Sequence, residues 1–410
     1  MQYETIKYKN HFRELGVIKD EDKIYLEKDF VLQSQSIIWD FNKEFWDHLE
    51  PFMNALGKDY KKSIGGTADA NENLIKYSAQ KFAKQLESIA LTPLLNKEGS
   101  GVFFYLEMGA AGTDWAKEFI AECPNKNFAY VFTDFSKKVL ETARHDLGSE
   151  FLGVKIEYFC LQNDYFSNED RIETFKEKYD NKILRVHATN VYDNFPCDRV
   201  LFSKGFFYII NVKSYITKES FLFLIDKYTS VGLTELRLLG LLQRLANPPI
   251  SYMHGETTYI YQVLKEAKDY FSNEKSFYEF WQDLWNMMKF EEQLTPTSVD
   301  EKLTKLFNSF KDQEFEFSNS IDVENDILEK YDLLMTGGCI EIIDIIVNDL
   351  LEYKNFLGPV KYDASIANYL NGPLLQATLK EKFENVEIQT KSLKDFGGKR
   401  NQTIMEINKN

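Results

Sequence analysis

The sequence predicts an α/β fold: a mostly parallel sheet with a helical N-terminal extension and a large helical insertion. Three observations predict it. Residues 102–144 read as strand, glycine-bearing turn, helix, strand and acidic residue. Two further β-branched and aromatic runs, Val154 to Cys160 and Ile183 to Ala188, fit buried parallel strands. Residues 336–407 then supply one more apolar strand, a helix-like stretch and two segments of period two.

In chain order, residues 1–75 form the extension, whose stretch Ile37 to Leu56 has helical spacing interrupted by Pro51. Ser63 to Ala68 is a turn signal, and Asn71 to Leu91 is a helix leading into the core, with Gly65 to Tyr77 placed to touch a ligand. The first part of the core spans residues 76–205. Its opening strand, Val102 to Leu106, ends in Glu107 and Gly109, where the chain turns into a helix. Gly109 and Gly112 have no Cβ, so the backbone can bend tightly there and a ligand can approach it. A second strand, Phe128 to Thr133, delivers Asp134 and Phe135. A carboxylate at that strand end is where doubly wound sheets hold a ribose diol, both hydroxyls donating to its oxygens.

Residues 206–334 are the insertion. Glu219 to Tyr228, Leu233 to Leu245, Tyr259 to Phe271 and Phe277 to Phe290 carry apolar residues at three- and four-residue spacing, punctuated by Pro248-Pro249 and Pro296. Placed at the carboxyl edge of the sheet, it reads as a helical lid or as a dimerisation surface between two copies of the chain. Residues 335–410 complete the core: Thr336 to Ile346 as strand, Ser365 to Phe383 as helix, then Val386 to Leu393 and Gln402 to Ile407 joined through Gly397-Gly398.

The turn Glu107-Met108-Gly109-Ala110-Ala111-Gly112-Thr113 begins with a carboxylate, which repels a diphosphate at close range and attracts an ammonium group. It resembles motif I of class I S-adenosylmethionine-dependent methyltransferases, with Ala111 and Thr113 where that family usually has its second and third glycines. The C-terminal strand, helix and hairpin resemble the tail of the same family's sheet. The resemblance implies a Rossmann-like seven-stranded sheet whose last strand is antiparallel. Ala188 to Arg199, ATNVYDNFPCDR, resembles the A-N-E-F-F-D-A-L-P-V-D-R stretch of the MidA-like methyltransferases, whose mitochondrial members methylate an arginine in a respiratory-complex subunit. Val191 stands where that stretch is acidic.

What the resemblance implies is an enzyme that binds S-adenosyl-L-methionine and releases S-adenosyl-L-homocysteine. Glu107, Gly109, Ala110, Ala111, Gly112 and Thr113 hold the methionine end, Asp134 the ribose, and Gln162, Asn163 or Asp164 the adenine, with Phe135 a further cofactor-binding candidate. Asn190 lies between cofactor and acceptor, and Asn190, Tyr192 and Asp193 are the candidate catalytic residues. Asn190 orients an amine, amide or hydroxyl, Asp193 acts as base or binds a cation, and Tyr192 lines the pocket. His187, inside the fourth strand, reads as a hydrogen-bonded core histidine. The acceptor is a protein or peptide side chain or a small metabolite. Methyl transfer is an in-line displacement that positioning can accelerate without a covalent protein nucleophile or a metal.

Composition narrows the partners. A net charge of −15, from 64 acidic and 49 basic residues, opposes a phosphate backbone, so no nucleic-acid partner is expected. Four cysteines, Cys123, Cys160, Cys197 and Cys339, lie far apart with no metal-binding spacing. The polar N-terminus is no signal peptide and no apolar run is long enough to span a bilayer, which predicts a cytoplasmic protein without a membrane partner. Two other readings use the same residues: an assembly or scaffold protein that retains the fold without catalysis, and an NAD-dependent oxidoreductase.

Overall fold

The computed structural model describes residues 11–13, 18–57, 72–90, 102–160, 175–248, 259–356, 358–362, 365–397 and 402–410. The chain divides into two compact units that interleave along the sequence. One contains residues 1–60, 194–320 and 347–373, the other 61–193, 321–346 and 374–410.

The second unit is built on a sheet of strands β1 (Phe103–Met108), β2 (Phe128–Asp134), β3 (Glu150–Phe151), β4 (Val154–Cys160), β5 (Ile183–Thr189), β6 (Leu334–Asp344), β7 (Val386–Ser392) and β8 (Thr403–Lys409). Their spatial order is β7-β8-β6-β5-β1-β2-β4-β3. β1, β2, β4, β5 and β6 run parallel, and β8 is antiparallel to both its neighbours. Among the described residues the count is eight rather than the seven expected. The extra strand is the two-residue β3, formed because Leu152 and Gly153 both take positive φ (49° and 83°) and fold the chain back onto β4 as a tight hairpin.

Strands β1, β2 and β5 are buried almost throughout, so they read as apolar runs without alternation. Helix α1 (Glu72–Ala90) buries Leu74, Ile75, Ala79, Phe82, Ala83 and Leu86, a stripe at three- and four-residue spacing. It packs with α2 (Asp114–Glu122) and α3 (Lys137–Leu147) into one core with Tyr105, Tyr130, Ile343 and Ile404. The helix expected from Ser365 starts only at Gly372 (Gly372–Lys382), and Ser365–Ala367 is a short strand instead.

The first unit corrects the expectation of an all-helical insertion. It does contain the helices Lys218–Tyr228, Glu235–Leu245, Tyr259–Lys268 and Glu274–Met287, three of them capped by Thr217, Thr234 and Asn273 side chains accepting from backbone N–H groups. It also contains the strands Phe206–Thr217, Lys289–Thr297 and Glu314–Asn319. They join Asp198–Ser203, Lys23–Tyr25 and Val31–Leu32 in a six-stranded antiparallel sheet. The long strand FFYIINVKSYIT is rich in aromatic and β-branched residues, which suit a pleated surface. A two-residue turn at Lys204-Gly205, with φ of 51° and 82°, pairs it with Asp198–Ser203. In the N-terminal segment the helical pattern breaks at His48, between Ile37–Asp47 and Leu49–Ala55, and Pro51 is accommodated in the first turn of the second helix.

All four cysteines are free thiols. Among the described residues no helix is long and apolar enough to cross a membrane, and no cluster of three or more His, Cys, Asp or Glu has metal-binding geometry.

Candidate active site at the strand tips

Adjacent parallel strands bring Glu107 and Asp134 together. Glu107 on β1 is opposite Phe132 on β2, so Asp134 lies two residues further toward the carboxyl edge on the same face as Phe132. Glu107 Oε2 accepts from the Tyr130 hydroxyl at 2.7 Å, and its backbone carbonyl accepts from Thr133 Oγ1 at 2.7 Å. Burial pushes the Glu107 carboxyl up to about 8, against the Tyr130 hydrogen bond, and the Asp134 charge raises it further. Asp134 accepts one backbone N–H on each oxygen, Ala111 on Oδ2 at 3.0 Å and Ser136 on Oδ1 at 2.8 Å.

The turn between β1 and α2 is shaped by the protein itself. Gly109 has φ +54°, and a Cβ there would lie 2.8 Å from Val191 Cγ2, so glycine is required both by the backbone and by Val191. Ala111 adopts φ +50° without glycine's freedom. The N–H groups of Ala110, Ala111 and Gly112 go to Thr133 O, Asp134 Oδ2 and Ala110 O, and Thr113 Oγ1 donates to Asp146 at 3.3 Å. A diphosphate cradle needs such N–H groups aimed outward at a helix start, whereas here they are spent inside and Asp114 sits in the first helical turn. A Cβ on Gly112 would meet open space. Phe135 is half-buried beside these groups.

At the tip of β5, Thr189 and Asn190 are half-exposed. Asn190 takes φ +51°, donates its N–H to Ile343 O at 2.9 Å, and accepts Gln402 Nε2 on Oδ1. The following turn is held from below by Asp344, at the end of β6. Its Oδ2 accepts from the N–H groups of Tyr192 (3.1 Å) and Asp193 (3.2 Å), and its Oδ1 from Ile345 (2.7 Å). Burial raises the Asp344 carboxyl to about 7 against these bonds.

The other two candidate catalytic residues, Tyr192 and Asp193, are buried in this turn. Tyr192 is 1% exposed and its hydroxyl donates to Asp326 at 2.8 Å, which anchors the turn. Asp193 is 5% exposed and its backbone N–H donates to Asp344 Oδ2. Gln162, Asn163 and Asp164, expected at the adenine, lie outside the described residues, as do Ser63 to Ala68.

Two acids escaped the sequence reading, Glu341 and Asp344, although the signal was present: carboxylates inside the apolar run CIEIID. Glu341 accepts from Arg185 Nη1 at 2.6 Å, Ser78 Oγ at 2.9 Å and His187 Nδ1 at 3.1 Å. A cavity of about 480 Å³ in the same unit, lined by Tyr77, Lys81, Lys84, Lys391 and Lys409 among others, lies elsewhere. It opens beside the start of β6, at the end of the sheet opposite Glu107 and Asp134.

No family model matches the chain, and neither does any curated protein. Among solved structures it is similar to a superfamily member from Burkholderia thailandensis bound to S-adenosyl-homocysteine, at 10% identity over 92% of both chains and a TM-score of 0.47. The CurJ carbon methyltransferase is similar at 10% identity over 92% of this chain and 69% of that one, with a TM-score of 0.33. The plantazolicin methyltransferase BpumL in complex with SAH is similar at 13% identity over 57% and 79%, with a TM-score of 0.20.

Proposed function

We propose that the second unit binds S-adenosyl-L-methionine and transfers its methyl group to an N–H or O–H acceptor. The observation that carries the reading is the pair of carboxylates on neighbouring strand tips, close enough for the charge of one to shift the proton of the other. Glu107 would take the ammonium of an amino-acid head, which favours the ionised form that burial disfavours. Asp134, at the tip of the next strand, would hold the ribose hydroxyls, and the turn's N–H groups are directed inward rather than at a diphosphate, which weighs against a nicotinamide dinucleotide. When bound, the sulfonium supplies an activated methyl group. The rest of the chemistry is orientation and proton removal by this chain.

The resemblance of the 188–199 stretch favours a protein arginine as acceptor, with a peptide or a small metabolite as the other classes. Isothermal titration with S-adenosylhomocysteine tests the cofactor. Binding by the wild-type chain and at least a tenfold loss in Asp134→Ala are expected. Absence of heat in the wild type at high protein concentration returns the chain to a scaffold role. Thermal stabilisation by NAD but not by the nucleoside overturns the reading in favour of an oxidoreductase.

A further inference from the structure

We propose that Glu341, His187 and Thr189 form a proton relay whose outer member, the Thr189 hydroxyl, takes the proton of a hydroxyl or amine acceptor as it is methylated. This deepens the methyltransferase reading and rests on it.

The three groups are in series. His187 Nδ1 lies 3.1 Å from Glu341 Oε1, and His187 Nε2 lies 2.8 Å from Thr189 Oγ1. Arg185, with the His187 and Ser78 hydrogen bonds, overcomes burial and holds the Glu341 carboxyl down at about 2. Glu341 is therefore an acceptor only, and the Nδ1 proton points at it. Burial keeps His187 below its ordinary value in spite of the Glu341 bond, so the ring rests neutral. Its Nε2 then carries the lone pair, and the Thr189 hydroxyl must donate to it. That is the resting arrangement of a hydroxyl backed by a base that a third group orients.

Placement on the sheet points the relay at the site. His187 pairs with Glu107 on one side and Glu341 on the other, so the three acidic and basic groups occupy one level across β1, β5 and β6. Thr189 stands two residues further along β5 on the same face, toward the carboxyl edge. The ring is enclosed. Trp115 of α2 stacks on it with centroids 3.9 Å apart and planes at 12°, and Tyr105 lies on the β1 side. Arg185 from its own strand, Ser78 from α1 and the buried Glu406, directly opposite on β8, are further charged and polar groups around Glu341, and Gln85 from α1 accepts from Arg185. Only Thr189 of the series is half-exposed. Beside it, the Gln402 side chain bonds Asn190 through Nε2, while its Oε1 is buried without a hydrogen-bond partner. An unpartnered buried acceptor at this edge suits a ligand that brings an N–H or O–H.

In the step, the acceptor's lone pair forms the new bond to the methyl carbon while the sulfur–carbon pair returns to sulfur. The acceptor's proton passes to Thr189 Oγ1 as the threonine proton passes to His187 Nε2. The imidazolium formed is stabilised by Glu341 and later returns its proton to water by the same route.

The test is nitrogen-15 histidine NMR of the whole chain, saturated in turn with S-adenosylmethionine and S-adenosylhomocysteine, with calorimetry on the same samples. A relay facing the transferred methyl feels the sulfonium charge of one nucleoside and not the neutral thioether of the other. The His187 Nε2 resonance is therefore expected to differ between the two complexes. Thr189→Ser should keep that difference, and Thr189→Val should remove the hydrogen-bond shift while both nucleosides still bind. If both nucleosides bind and His187 gives the same resonance in each, the relay is overturned and the methyltransferase reading stands. If neither binds, that reading fails and the relay falls with it.

Discussion

The two sheets bury charge in opposite ways. In the antiparallel sheet, Arg199 (1% exposed) donates to Glu316 at 2.9 Å and Glu292 at 2.6 Å, and Arg13 donates to the other oxygens of the same two glutamates at 2.7 and 2.8 Å. Gln33 accepts the remaining Arg199 Nε–H. Two cations and two anions close into a square. In the parallel sheet a single carboxylate, Glu341, is shared by Arg185, Ser78 and His187, and the series runs on to a half-exposed threonine. The closed square pins strands together. The open series keeps a neutral base beside the edge where open α/β sheets bind ligands. Burial of charge alone therefore says little about function, and what decides is whether the network ends on a group that can exchange a proton.

The largest expected effect breaks the square. Arg199→Met leaves two glutamates with only the more exposed Arg13, and removing one partner of a buried ion network costs about 3–5 kcal/mol. Urea unfolding measures it, and a loss below about 1 kcal/mol would show that the square is not a strand pin.

Next comes a pH effect confined to the strand tips. Glu107 holds its proton up to about 8 in the native state against an ordinary 4.5, and Asp344 up to about 7 against 3.8. Between the two limits the native state binds more protons than the unfolded chain. Their contribution to stability is thus complete below about pH 4 and lost as pH rises through 7 to 8. The stability difference between Glu107→Gln and the wild type should grow in the variant's favour from pH 5 to pH 8.5, by on the order of 3 kcal/mol. A difference that is flat with pH would show that Glu107 is already ionised in the native state at pH 5.

Gly358→Ala sharpens the account of the square. The glycine has φ +83°, and a Cβ would lie 3.0 Å from Arg199 Nη1, so a loss of about 1–3 kcal/mol is expected. An unchanged melting temperature would mean that Arg199 has room to move. The smallest effect is a gain: Ala111→Gly relieves a non-glycine residue at φ +50°, worth up to about 1 kcal/mol after the added unfolded-state entropy. Destabilisation instead would indicate that Ala111 Cβ makes contacts that outweigh the strain.

Much of the fold was legible because its signals are local. Val154–Cys160 was read at both ends, and β2 and β5 to within one residue, because buried parallel strands are short apolar runs with polar ends. The strand Lys289–Thr297 was hidden: KFEEQLTPT is polar and contains Pro296, as an edge strand tolerates, and it follows a strong helical pattern that the reading carried on to Phe290. The strand Phe206–Thr217 has its period-two signal in plain view, but its partners Lys289–Thr297 and Lys23–Tyr25 lie far away in the chain.

Signals local to the chain set the strand–turn–helix ending at Glu122 and the acidic end of the next strand, since backbone conformation and hydrophobic period depend on neighbours along the chain. What those residues face is set by packing between distant segments. It set Val191 against Gly109, spent the turn's N–H groups inward, buried Tyr192 on Asp326, and aligned Glu341 with His187 across 154 positions of sequence. Strand order and register make those contacts, and no local pattern encodes them.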